Sequence, residues 1–75
     1  MTDTSRTKEQ RAAEYACGCF NELYPVGQRV ILTRDNGEKF ETTTRSEAYV
    51  CDSGYPVIFL NGVRGYYILQ RVKPI

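Results

Sequence analysis

The sequence predicts an α+β domain: an N-terminal amphipathic helix packed on a small five-stranded antiparallel SH3-like barrel or β-roll. Three observations carry that expectation. Apolar residues recur at helical spacing from Ala13 to Leu23, and Pro25 follows. Beyond Pro25 come short strand-like segments separated by glycine-marked turns. Two of those segments are apolar on both faces and need cover on both sides.

The helix is expected over 7–24, with 1–6 as a frayed polar tail. Thr7-Lys8-Glu9-Gln10 fits a capping box, in which hydroxyl and amide satisfy orphan backbone groups reciprocally. Ala13, Ala16, Phe20 and Leu23 form the stripe to be covered, with Ala12 and Cys19 beside them. Lys8, Arg11, Glu14 and Glu22 occupy the opposite face, along with the more ambiguous Tyr15. Pro25 stops the helix, because the residue before a proline avoids the α region. Gly18 costs about 1 kcal/mol against alanine, which points to a close approach of the sheet or a kink.

The β part is expected over 28–75. Arg29–Arg34 and Glu38–Arg45 flank the turn Asp35-Asn36-Gly37. A three-residue loop with Gly37 left-handed sets Leu32 opposite Phe40, Val30 opposite Thr42 and Arg34 opposite Glu38. A two-residue loop would set Leu32 against Glu41, so cross-strand matching selects the longer one. Ser46 is placed to cap a short turn. Ala48–Cys51, Pro56–Leu60 and Tyr66–Gln70 supply three more strands, and Val72 and Ile75 extend the packing. In Pro56–Leu60, Val57 and Phe59 share one face while Ile58 and Leu60 share the other. One face is assigned to the barrel interior and the other to the helix stripe. Were the sheet closed by itself, that stripe would be free to dimerise.

Composition narrows function mainly by exclusion. The chain has 75 residues, which makes it one small domain with limited core. Its net charge is +1, unlike a generic polyanion binder. Residues 1–24 hold three bases against four acids, and residues 25–75 hold seven against five. That leaves room for a mild basic patch on the β part. With no histidine, Ser-His and Cys-His arrangements are ruled out. Neither a phosphate-cradling Gly-x-x-x-x-Gly-Lys loop nor a plainly paired set of acids is present. The expectation is therefore a non-enzyme without cofactor. Cys17, Cys19 and Cys51 fall short of the four ligands of a structural zinc site, so no metal is expected. An N-terminus lacking an apolar segment, and the absence of any membrane-length apolar run, predict a cytoplasmic chain with reduced thiols.

Tyr24-Pro25-Val26-Gly27, Thr44-Arg45-Ser46-Glu47-Ala48, Gly54-x-Pro56-Val57, Asn61-Gly62-x-x-Gly65, Leu69 and Val72-x-Pro74 together resemble small phage- and prophage-encoded proteins of uncharacterised function. The resemblance spans residues 24–74 and implies a phage setting without an activity.

Six tyrosines are the most informative excess. Tyr and Arg are enriched in interface hot spots, and tyrosine hydroxyls need partners or water. Arg45, Tyr49, Tyr55, Arg64, Tyr66 and Arg71 are the expected partner-binding residues. The simpler account makes about half the tyrosines core residues and leaves Arg45 capping a turn or pairing with Glu47 or Asp52. A protein partner is the leading expectation. The alternative is a nucleic-acid-binding small barrel using Arg29, Arg34, Arg45, Arg64 and Arg71 on phosphates. A purely structural subunit, stable as a homodimer or larger oligomer, is a third.

Overall fold

The computed structural model describes residues 8–75, so the expected tail and the Thr7 cap lie outside the described residues. Helix α1 spans Lys8–Leu23. Strands β1 (Arg29–Thr33), β2 (Lys39–Thr43), β3 (Tyr49–Val50), β4 (Pro56–Phe59) and β5 (Tyr66–Ile68) follow. A 3₁₀ turn at Leu69–Arg71 leads into β6 (Val72–Pro74).

The strands form two three-stranded antiparallel sheets, ordered β2-β1-β6 and β3-β4-β5. This corrects the expectation of a five-stranded barrel. The sheets are stitched at one corner by the Thr44–Leu60 bridge, flanked by Asn61 N–H to Thr43 O at 3.0 Å and Arg45 N–H to Phe59 O at 2.9 Å. Among the described residues that corner does not continue into a closed barrel. The reason is strand length. β5 ends after three residues, and the 3₁₀ turn redirects the chain so that β6 pairs with β1. Sequence pattern overlooked β6 because Val72-Lys73-Pro74 has little alternation and Pro74 lacks an N–H; proline is tolerated in an edge strand such as this.

The first hairpin has the expected register, with Leu32 opposite Phe40 and Val30 opposite Thr42. Arg34 N–H donates to Glu38 O at 2.7 Å, and Gly37 has φ +89°, where a side chain would be strained. Leu32 and Val30 are fully buried as a result.

The core gathers Val30, Leu32 and Val72 from one sheet with Ile58 from the other, joined by Leu60 and Leu69. Cys17 and Phe20 enter this same cluster. The helix therefore covers the Ile58 face rather than serving as a lid on a second face. Its inward stripe is Ala13, Cys17 and Phe20, continued by Tyr24 just past the helix end, rotated by about 50° from the expected one. Leu23, read as core, is 66% exposed. Asn21 fixes the rotation: its side-chain amide donates to Ala48 O at 2.9 Å, and its Oδ1 accepts from Ala48 N–H at 2.8 Å. Both groups belong to the residue that leads into β3, so helix and sheet are locked at that point.

Gly18 does not mark a close approach, since a Cβ there would meet nothing within 4 Å. Gly18→Ala is expected to stabilise the fold by about 0.5–1 kcal/mol, the helix-propensity difference, read as a higher thermal midpoint. A lower midpoint would contradict this placement.

Candidate functional site

Alternation along β4 turns Ile58 into the core and sets Val57 and Phe59 on the opposite face of the β3-β4-β5 sheet, where Val57 is buried beneath its neighbours and Phe59 is half-buried. The register places Tyr49 and Ile68 on either side of Val57, and Tyr66 opposite Phe59. Tyr49 and Phe59 stack with centroids 6.1 Å apart, while Tyr66 meets Phe59 edge-on at 6.0 Å. Such geometries are favoured by the ring quadrupoles. Phe59 is thus the hub of an aromatic row. Tyr49 is 40% exposed and Tyr66 48% exposed, so the row remains open to solvent.

Arg45 completes the row. Its backbone N–H bonds Phe59 O, and its guanidinium lies 5.1 Å from the Phe59 ring centroid. Cation–π contact of this kind is worth about 0.5–1 kcal/mol at an exposed site. Ser46 was expected to cap a turn. Its hydroxyl instead accepts from Phe59 N–H at 3.2 Å and donates to Glu47 O. Segment 45–46 therefore holds both backbone groups of the hub residue.

Three expected binding residues, Arg45, Tyr49 and Tyr66, come together here. The other three do not join them. Tyr55 lines a groove of about 740 Å³ against Ala12, Ala13 and Ala16 of α1. Arg71, in the 3₁₀ turn, pairs with Asp35 at 3.5 Å. Arg64 is exposed in the connection between β4 and β5. Tyr24 and Tyr67 pack against the core, as the simpler account of the tyrosines anticipates. Phe59 was missed as a site residue, although its signal was present: it shares a strand face with Val57 and sits where Tyr66 can pair.

The cysteines separate in space. Cys17 is buried, Cys19 exposed and Cys51 half-buried. Among the described residues no group of three Cys, Asp or Glu side chains is placed to hold a metal. Burial pushes the Cys17 thiol up. Cys51 behaves oppositely. The Tyr55 N–H, assisted by the Ser53 and Gly54 N–H groups and the Tyr66 hydroxyl, lowers it, with burial acting against them. The thiolate in turn pushes the Tyr66 hydroxyl up.

Because folding favours the Cys51 thiolate, its contribution to stability is full above the usual thiol range. It fades as pH falls through the lowered folded-state value. Native alkylation by iodoacetamide, followed by mass spectrometry against pH, should modify Cys51 at a pH where an ordinary thiol is still protonated. Cys17 should stay unmodified until the chain unfolds. Equal labelling of Cys17 and Cys51 would contradict both placements.

Two of the arginines suggested for phosphate contacts are already paired with carboxylates, Arg29 with Glu41 and Arg71 with Asp35. Arg34 lies over the Phe40 ring at 5.2 Å. No helix among the described residues is long and apolar enough to cross a membrane. No protein-family model matches the chain, and neither a curated protein nor a solved structure matches it.

Proposed function

We propose that the protein is a non-enzymatic binding module that contacts another protein through the Tyr49–Phe59–Tyr66 face and Arg45. The carrying observation is the open aromatic row with a guanidinium stacked on its hub. Aromatic and arginine side chains bring large contact area and directional polar groups, the composition of interface hot spots. A phage or prophage accessory role in the cytoplasm, with a phage or host protein as partner, is the biological setting we attach to this surface. Pairing of first and last strand, preceded by a 3₁₀ turn, supports an open SH3-like roll as the scaffold.

A single-stranded nucleic acid could also stack on such a row. Carboxylates on Arg29 and Arg71 weigh against it, because a phosphate track needs its cations free. The test has two arms. A mobility-shift assay with single- and double-stranded DNA and RNA at low salt should give no shift. Affinity capture from host extract should retain a protein on the wild-type chain that Tyr66→Ala no longer retains. A salt-sensitive nucleic-acid shift, lost in Arg45→Ala, would overturn the proposal in favour of the nucleic-acid barrel.

A further inference from the structure

The face of α1 that points away from the core is not simply a solvated one. Tyr15, Cys19 and Leu23 recur every four residues, so successive members lie about 40° apart in one stripe. Tyr15 is 76% exposed and Leu23 66% exposed. Cys19 between them is an exposed free thiol, and the Tyr15 hydroxyl lies against it. Ala12, also exposed, carries the stripe one turn further back.

Charge is graded along this same face. Lys8 and Arg11 outnumber Glu9 at the helix's N-terminal end, Glu22 stands at its C-terminal end, and the last turn has no basic residue. An acid without a base in the last turn opposes the helix macrodipole, which favours cations at the C-terminus. An arrangement unfavourable to one helix becomes favourable when two such helices lie antiparallel. Each basic end then meets an acidic end, and each dipole end meets its opposite.

We propose that this face of α1 docks on the same face of a second copy of the chain, antiparallel about a two-fold axis. A two-fold contact needs a surface that complements itself, and the charge gradient has that property. Lys8 and Arg11 of one copy lie beside Glu22 of its partner. Leu23 of one copy packs over Ala12 of its partner, with Tyr15 and Cys19 close to the axis. A foreign partner would have to carry the reversed gradient independently, whereas a second copy supplies it by symmetry. The aromatic row on the β3-β4-β5 sheet is not used, so the dimer presents it twice.

Sedimentation equilibrium of the full chain tests this, with circular dichroism melts to verify that each variant folds. Wild type should fit a monomer–dimer equilibrium between about 5 and about 200 µM, the range of a modest association. Glu22→Arg alone, and Lys8→Glu with Arg11→Glu, should each raise the dissociation constant about tenfold or more. All three substitutions together should recover most of the loss, because the gradient is then reversed on both copies. Leu23→Asp should be monomeric while remaining folded. A wild type that is monomeric throughout, a dimer that survives Leu23→Asp, or a combined variant no better than its components would each overturn the proposal.

Discussion

Ile58→Ala is expected to lower the unfolding free energy by about 2–5 kcal/mol, the usual cost of emptying a well-packed core position. Ile58 has no exposed surface and sits in the one cluster that joins both sheets to α1. A chain of this length holds only about 4–11 kcal/mol in total, by typical per-residue stability. The substitution therefore removes a large share of it, and the thermal midpoint should fall by about 10–30 °C. Ile68→Ala is the informative comparison. Ile68 lies on the outer face of the same sheet and is 40% exposed, so about 1 kcal/mol or less should be lost. Melts at one fixed protein concentration keep any self-association constant between variants. Equal losses at the two positions would mean that the facing of β4 and β5 is misassigned.

The contrast between those two isoleucines shows how far sequence pattern reaches. The first hairpin was readable because several independent signals agreed: Leu32 with Phe40, Arg34 with Glu38, and a glycine where the turn demands positive φ. All of these are local. The helix was readable as an element but not in its rotation. Ala, Cys and Gly leave its apolar stripe poorly defined, and the rotation is set by Asn21, a polar residue bonding a backbone 27 residues away. Nothing in the helix's own pattern announces that contact. It turns Cys17 inward and Leu23 outward. The strand β6 was likewise hidden, since it exists because β1 offers a free edge rather than because its own residues favour extension.

The same limit applies to the surface. Tyr49, Tyr66 and Arg45 were recoverable from composition and proximity in sequence. Tyr55 and Arg71 were drawn in by that same proximity. The turn after Cys51 sends Tyr55 toward α1, and the 3₁₀ turn brings Arg71 to Asp35. The pattern put Phe59 on a face with Val57, but which of the two faces stays open depended on where the helix packs. Composition therefore gave the chemistry of the surface, while its membership depended on the long-range rotation of α1.

Tyr66→Ala should weaken binding of the captured partner about 30-fold or more while changing folding stability by about 1 kcal/mol or less, because hot-spot tyrosines lose more in an interface than in a fold. Tyr66 reaches the hub only edge-on and is about half exposed, so its removal leaves the core intact. Phe59→Ala would lose binding too, but it also removes the ring on which Tyr49, Tyr66 and Arg45 all rest, which confounds the reading. Arg45→Lys separates charge from stacking. Lysine keeps the cation but not the planar guanidinium, so a several-fold loss assigns the role to the stacked plane. Arg64→Ala, exposed in the β4–β5 connection, should change affinity by less than about 0.5 kcal/mol. Titration calorimetry with the isolated partner reads these four and Tyr55→Ala. If Tyr55→Ala weakens binding and Tyr66→Ala does not, the partner sits on the α1 groove side and the aromatic row is not the contact. If Tyr66→Ala and Arg45→Lys both weaken binding at every salt concentration, the contact is one of ring and plane rather than of charge. That outcome is the one expected of a protein interface, since phosphate contacts would vanish as salt rises.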